Sequence, residues 1–289
     1  ESYREKTANY LVGLGFYEIL TNSIINSAWY SEDELASSVK LLNNLSAELN
    51  MMRPSMLETG LQAIAHNLNR KNNDLKFFEF GKSYSKEGSG KYSEPEHLCL
   101  YITGKTADES WRSKSGPADF YVLKGIVTRI FHLLGLTIDN IESFAHPKLE
   151  TGLQGKIKGV IAFQAGIVHK KILSQFDVKQ PVFYADLNWD LLSLKASANK
   201  AEVREIPRFP AVQRDLAMIV PQQLPYEEVE RTVQKIKLNK LQEVKLFDVF
   251  ESDKLGKDKK SMALNFTFLD EEKTLTDKEI DSWMNTIMT

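Results

Sequence analysis

The stretch "KFFEFGKSYSKEGSGK", Lys76 to Lys91, decides how the larger part of the chain is read. Phe78, Phe80 and Tyr84 fall on one face at period two, with Glu79, Gly81 and Ser83 on the other, so a strand ending near Ser85 is expected. An aromatic strand running into glycines and lysines invites a nucleotide-binding reading. Gly88 and Gly90, however, have neither the GxGxxG nor the GxxxxGK[ST] spacing that arrays backbone N–H groups around phosphates. A hairpin turn is the expectation.

Upstream, Tyr3, Thr7, Tyr10, Leu11 and Leu14 repeat at helical spacing and Gly15 follows, which predicts an amphipathic helix with a glycine stop. A helix beginning at once, without a methionine, suggests a piece of a longer protein. In "MMRPSMLETGLQAIAHNLNR", Pro54 and Ser55 suit a helix start and Leu57, Leu61, Ile64 and Leu68 form its apolar stripe. Downstream, "EHLCLYITG", "GVIAFQAGIV" and "PVFYADLNW" are strands, and "DFYVLKGIVTRIFHLLG" is a helix closed by Gly135. Many strands with few helices and no β-α-β alternation imply an α+β fold, an antiparallel sheet flanked by helices.

The polar run "KASANKAEVREIPRFPAVQRD", carrying Pro207 and Pro210, reads as a junction, with domains expected at 1–200 and 201–289. Beyond it come a strand ("RDLAMIV"), a helix ("PYEEVERTVQKIK"), two strands ("LQEVKLFDVFE" and "SMALNFTFL") and a helix opened by a capping box from Thr276 to Glu279. The order β-α-β-β-α is a ferredoxin-like module, incomplete at its C-terminus because the last strand is missing. That strand normally pairs beside the first, so "RDLAMIV" is expected at an exposed edge.

The formal charge of -2 excludes a protein that coats nucleic acid by bulk electrostatics, so any RNA contact must be local. No apolar run approaches the roughly 18 residues needed to span a bilayer, and the first residues do not resemble a signal peptide, so no membrane and a cytoplasmic location are expected. The single cysteine, Cys99, reads as a core strand residue. The histidines at 66, 97, 132, 146 and 169 share no metal-ligand spacing and are assigned to surfaces and cores.

Taken in order, "MMRPSMLETGLQAIAHNLNR", "KFFEFGKSY", "DFYVLKGIV", "AHPKLETG", "RFPAVQRDLAMIV", "LFDVF" and "KTLTDKEID" resemble the C-terminal part of bacterial phenylalanyl-tRNA synthetase beta subunits. The resemblance implies a class II synthetase-like, non-catalytic module followed by a ferredoxin-fold anticodon-binding domain. It further implies a catalytic alpha subunit and tRNA(Phe) as partners, in an assembly of two alpha and two beta chains. ATP and Mg would be used by that holoenzyme, with none bound by this chain, and no editing activity is expected of it.

A class II site meets the triphosphate with arginines. The family's second motif sets an arginine after a strand of the type G-x-x-Y, whereas here Gly81 to Tyr84 is followed by Ser85. Its third motif matches "PVFYADLNWDLLSL", where Asp190 stands near the arginine's place and no basic residue occurs from Pro181 to Leu194. Asp186 and Asp190 would repel a phosphate. Arg53 reads as an ion-pair partner, and His146 of "AHPK" as part of a turn fixed by Pro147, with no acid–base dyad nearby. The family's later "GELHP" is replaced by "AGIVHK", with Lys170 in the proline's place.

In the second module Lys245, Phe247, Val249 and Glu251 are expected to share one strand face, opposite which the helices pack on Leu264. Phe247 is then a stacking ring for an unpaired base, or packs beneath a loop, and Asn265 is a reader of base edges. Lys254, Lys257, Lys259 and Lys260 make the following loop basic, for phosphates or simply as a solvated tip. Arg208 and Arg214 flank the entrance of the first strand. The rival reading is a stand-alone RNA-binding or protein-interaction module, and the third an enzyme with its own adenylating site.

Overall fold

The structure is a computed structural model that describes residues 2–44, 46–107, 109–112, 114–199, 206–252, 255–256 and 258–289. The chain divides into two compact units, Glu1–Ala201 and Glu202–Thr289.

The larger unit opens with α1 (Tyr3–Gly13), whose N-terminal N–H groups are satisfied by a capping box between Ser2 and Glu5. Gly15, at φ 82°, then turns the chain into β1 (Tyr17–Glu18). Short pieces follow, β2 (Ile24–Ile25), α2 (Glu32–Ala36) and β3 (Met51–Met52), before α3 (Leu57–Leu68). The remaining elements are β4 (Leu75–Lys82), β5 (Ser85–Gly88), β6 (Lys91–Ser93), β7 (Glu96–Thr103), α4 (Phe120–Leu133), β8 (Asn140–His146), β9 (Leu149–Ile157), β10 (Val160–Val168), α5 (Lys170–Gln175), β11 (Val182–Asn188) and α6 (Trp189–Ala198). Seven strands form one sheet in the order β1-β4-β7-β11-β10-β9-β8. The expected antiparallel sheet holds except at its edge, where β1 runs parallel to β4.

Each face of this sheet carries its own core. Phe78, Phe80, Leu98, Leu100 and Ile102 point to one side with Leu11 of α1, Leu123, Val127 and Ile130 of α4, and Leu192 of α6. Phe77, Cys99, Tyr101 and Tyr184 point to the other, against Met56, Leu57, Leu61 and Ile64. Burial on both sides explains why "KFFEF" lacks a polar face: Phe77 and Glu79 are as enclosed as Phe78 and Phe80. Close packing of α3 depends on Gly60, where a Cβ would sit 2.1 Å from the Tyr101 ring.

Two sequence expectations change here. The strand from Lys76 stops at Lys82, and Ser85 instead begins the β5–β6 hairpin, turned by Gly90 at φ 73°. "AHPKLETG" is the tip of the β8–β9 hairpin, with Pro147 and Lys148 in the turn. The glycines of "LETGLQGKI" hid β9, because glycine is depleted in strands. They are needed where they stand: a Cβ on Gly152 would lie 2.7 Å from the Phe144 ring, and one on Gly155 2.0 Å from that of Phe163.

The smaller unit contains β12 (Val212–Pro221), α7 (Tyr226–Lys235), β13 (Leu241–Phe250), β14 (Lys259–Phe268) and α8 (Asp277–Met288). Its strand order, β12-β14-β13, is that of a ferredoxin-like sheet, and among the described residues β12 pairs on one side only. Both helices cover one face, where Leu264, Phe266 and Phe268 pack with Val233, Ile280 and Met284. The capping box from Thr276 to Glu279 opens α8.

Candidate functional site

The strands singled out by the sequence reading, β4 and β11, meet β7 and the segment leading into α3. Arg53 is only 2 % exposed and Glu79 fully buried. Arg53 Nη1 donates to Glu79 Oε1 at 3.1 Å and to Thr21 Oγ1 at 2.7 Å, while Nε donates to the Lys82 carbonyl at 2.8 Å. Thr21 returns both its N–H and its hydroxyl to the Glu79 carboxylate. The sequence reading of Arg53 as an ion-pair partner is what the geometry shows. Its charge is neutralised inside the fold, because a buried carboxylate without that partner would be strongly destabilising.

Around it stand carboxylates, a serine and an imidazole. Ser85 stands in β5, and Asp190 Oδ2, at the start of α6, accepts from the Glu96 N–H at 2.8 Å. Asp186 Oδ1 lies 2.7 Å from His97 Nδ1, and His97 Nε2 lies 2.8 Å from Ser83 Oγ. Burial acts to lower the His97 pKa, but the hydrogen bond and charge of Asp186, with help from Asp190, outweigh it and hold the imidazole above its ordinary value. This donor set does not fit a nucleoside triphosphate with magnesium: the Arg53 guanidinium is already paired with Glu79, and the Asp186 and Asp190 carboxylates would repel phosphate charge. Among the described residues no group of three or more His, Cys, Asp or Glu side chains is placed to hold a metal ion.

The Ser83–His97–Asp186 line escaped the sequence reading, which assigned every histidine to surfaces or cores. His97 and Asp186 are 89 positions apart and meet only through the β7–β11 register, in which Cys99 pairs with Asp186. A second missed cluster is centred on Lys148, whose Nζ lies 2.5 Å from both Glu34 and Glu58 and 4.6 Å from the centre of the Tyr30 ring. Tyr30 OH donates to Glu58 at 2.8 Å. His146 supports this turn by accepting the Lys148 N–H at Nδ1, and burial together with the Lys148 charge pushes its pKa down.

In the smaller unit the sheet face away from the helices is open, and a bulge changes which residues occupy it. Lys245 pairs with Asn265, but Asp248 pairs with Ala263 and Phe250 with Ser261, so Phe247 is the extra residue. Val249 pairs with Met262, which is buried, and therefore lies on the face opposite Lys245. The single face expected for Lys245, Phe247, Val249 and Glu251 does not form. Lys245, Asn265 and Phe250 share the open side instead, Phe250 being 55 % and Phe247 53 % exposed.

Other sequence candidates are dispersed. Asn265 Nδ2 donates to Asp215 Oδ1 at 2.7 Å across the open face. Arg214 pairs with the buried Phe266 and reaches the helix side, where Nη2 donates to Asp277 at 2.6 Å. Arg208 is exposed ahead of β12. Lys259 and Lys260 are not loop residues but the first two of β14, and Lys254 and Lys257 lie outside the described residues.

Residues 1–189 match the family model of the phenylalanyl tRNA synthetase beta chain CLM domain, and residues 207–289 that of the ferredoxin-fold anticodon binding domain. The phenylalanine--tRNA ligase beta subunit of Bacteroides fragilis is 42 % identical over 97 % of this chain and 36 % of its own length. That of Porphyromonas gingivalis is 34 % identical over 96 % of the chain and 36 % of its own length. The chain thus spans about a third of these relatives, 36 % in both cases. Among solved structures, a pyrrolysyl tRNA synthetase from Desulfitobacterium hafniense superposes with a TM-score of 0.53 at 16 % identity, over 68 % of this chain and 66 % of that one, which establishes the fold alone. By its sequence the chain belongs to the phenylalanyl tRNA synthetase beta chain family.

Proposed function

We propose that the chain serves as a non-catalytic portion of a phenylalanine-tRNA ligase, its larger domain (1–200) supporting a catalytic alpha subunit and its smaller one (201–289) holding the anticodon region of tRNA(Phe). The observation that carries the first half is the burial of Arg53 against Glu79, which commits that guanidinium to the interior of the fold. Adenylation, with its ATP and magnesium, then falls to the alpha subunit, in an assembly of two alpha and two beta chains in the cytoplasm. Val12, Tyr17 and Leu20 are exposed apolar groups near the β1 edge, which suits a protein partner there.

The second half rests on the open sheet face of the smaller unit. Lys245 offers a cation for the RNA backbone, Asn265 an amide for base edges, and Phe250, with Phe247 beside it, a ring on which an unpaired base stacks. Lys254, Lys257, Lys259 and Lys260, together with Arg208, add positive charge for phosphates. Arg214 acts differently in this reading, tying β12 to α8 through Asp277.

Co-expression with an alpha subunit tests the proposal. A stable complex that charges tRNA with phenylalanine supports it. Failure to associate, with tRNA binding retained by the chain alone, supports a stand-alone RNA-binding module. Replacing Lys257, Lys259 and Lys260 together with alanine is expected to weaken tRNA binding and flatten its salt dependence, and unchanged binding removes those lysines from the interface.

A further inference from the structure

Ser83, His97 and Asp186 come from three parts of the chain and form one hydrogen-bonded line. Strand pairing holds them: Gly81 of β4 faces His97 of β7, and Asp186 of β11 faces Cys99, one diagonal step from His97. Ser83 is fixed by its own N–H, which donates to the Pro95 carbonyl at 3.3 Å. With Asp186 ionised, its 2.7 Å contact puts the imidazole proton on Nδ1. The Nε2 lone pair is then left to accept the Ser83 hydroxyl at 2.8 Å. A hydroxyl, a base and an orienting carboxylate in this order are the groups that activate an alcohol as a nucleophile on several unrelated folds.

A positive group stands beside the line. The described bonds of Arg53 use Nε and Nη1, and its Nη2 lies against Gly81, where a Cβ would be 2.3 Å away. The space a side chain at Gly81 would take is filled by this guanidinium and by the Met56 thioether, which sets Nη2 over the strand position paired with His97. The Arg53–Glu79 pair is neutral as a whole and unsuited to a triphosphate, yet Nη2 can still donate to the single oxyanion of a tetrahedral intermediate.

We propose that Ser83 is a nucleophile for acyl transfer from small activated carboxylic esters, with His97 as its base, Asp186 orienting His97, and the Arg53 guanidinium stabilising the oxyanion. Ser83 Oγ bonds to the acyl carbon as its proton passes to His97 Nε2; the bond to the leaving alcohol breaks, and that oxygen takes the proton. Water then adds to the acyl-serine carbon and gives a proton to His97 Nε2, which returns it to Ser83 Oγ as the carboxylic acid departs. Ser83 is 8 % exposed, which favours slim acyl groups such as acetyl. The charged groups acting on His97 are Asp186 from β11, Asp190 from α6 and Arg53 ahead of α3.

The test uses the full chain with a fluorophosphonate probe and p-nitrophenyl acetate. Peptide mass spectrometry of the unaltered chain should place the phosphonyl group on Ser83. Hydrolysis should fall about 100-fold in Ser83→Ala and in Asp186→Asn. The unaltered rate should rise with pH as His97 loses its second proton. A probe that bonds elsewhere or not at all overturns the proposal, as does hydrolysis that survives Ser83→Ala and depends on His97 alone. Because the site is mapped on the unaltered chain, a variant that folds poorly cannot decide the result.

Discussion

The two sheets treat polar side chains in opposite ways. On the larger unit's synthetase-like face Arg53, Glu79 and Thr21 satisfy one another within the fold, and Asp190 caps a backbone N–H. On the smaller unit's open face Lys245 and Phe250 project into solvent, held only by backbone pairing. Groups that answer one another stabilise a shape, whereas groups left facing solvent are available to a partner. The Arg53–Glu79–Thr21 cluster therefore reads as a support and the open face of the smaller unit as a contact surface, and each is open to test.

The largest effect is expected at Arg53. Arg53→Met leaves the Glu79 carboxylate fully buried without its cation, at a cost of about 3–5 kcal/mol, while Arg53→Met with Glu79→Leu recovers most of that loss. Urea unfolding followed by amide exchange in β4 measures both. If Arg53→Met were stable but lost affinity for ATP, the pair would be nucleotide machinery, and the contrast between the two faces would fail.

Next come the two sides of one strand pair in the smaller unit. Phe266→Ala empties a core position and should cost about 3–5 kcal/mol of stability. Phe250→Ala, on the open side, should change stability by less than about 0.5 kcal/mol. It should weaken tRNA binding by about 1–3 kcal/mol, the range for removing a base-stacking ring. Phe250→Ala that binds tRNA normally, with Phe247→Ala defective, would shift the stacking role to the bulged residue.

That bulge shows where sequence stops informing structure. The β-α-β-β-α order, the capping box at Thr276 and the helix from Leu57 all follow from local pattern, because caps and periodicity act over a few residues. Which of Phe247 and Phe250 faces the open side depends on one unpaired residue opposite Leu264 and Ala263, a property of the pairing and not of either strand. His97 and Asp186 were illegible for the same reason, since their contact exists only in a register between strands far apart in the chain. β9 was missed because its glycines serve the rings of Phe144 and Phe163, a packing need that propensity cannot express.

His97 gives a pH test of the larger unit. Its pKa is raised in the folded state, so the protonated pair with Asp186 contributes stability below the unfolded value of about 6.5 and loses it as pH rises through the folded value above that. The stability difference between the unaltered chain and His97→Gln should therefore be larger near pH ~5.5 than near pH ~9. A difference equal at both would mean that the imidazole does not gain a proton-linked bond on folding.

The smallest effect is expected at Lys245, and it is the most direct probe of the open face. Lys245 stands opposite Asn265, which is already bonded to Asp215, and the lysine itself is exposed. Removing it should leave folding unchanged, because an exposed charge without a fixed partner contributes little. If the ammonium neutralises a phosphate of bound tRNA, Lys245→Ala should lower affinity only a few fold but reduce the slope of log affinity against log salt by about 0.7–0.9, the release of one counterion. Asn265→Ala should weaken binding without altering that slope, since an amide releases no counterion. A Lys245→Ala chain with an unchanged slope would move the backbone contact to Lys259 and Lys260, at the start of β14, and leave the open face to the bases alone.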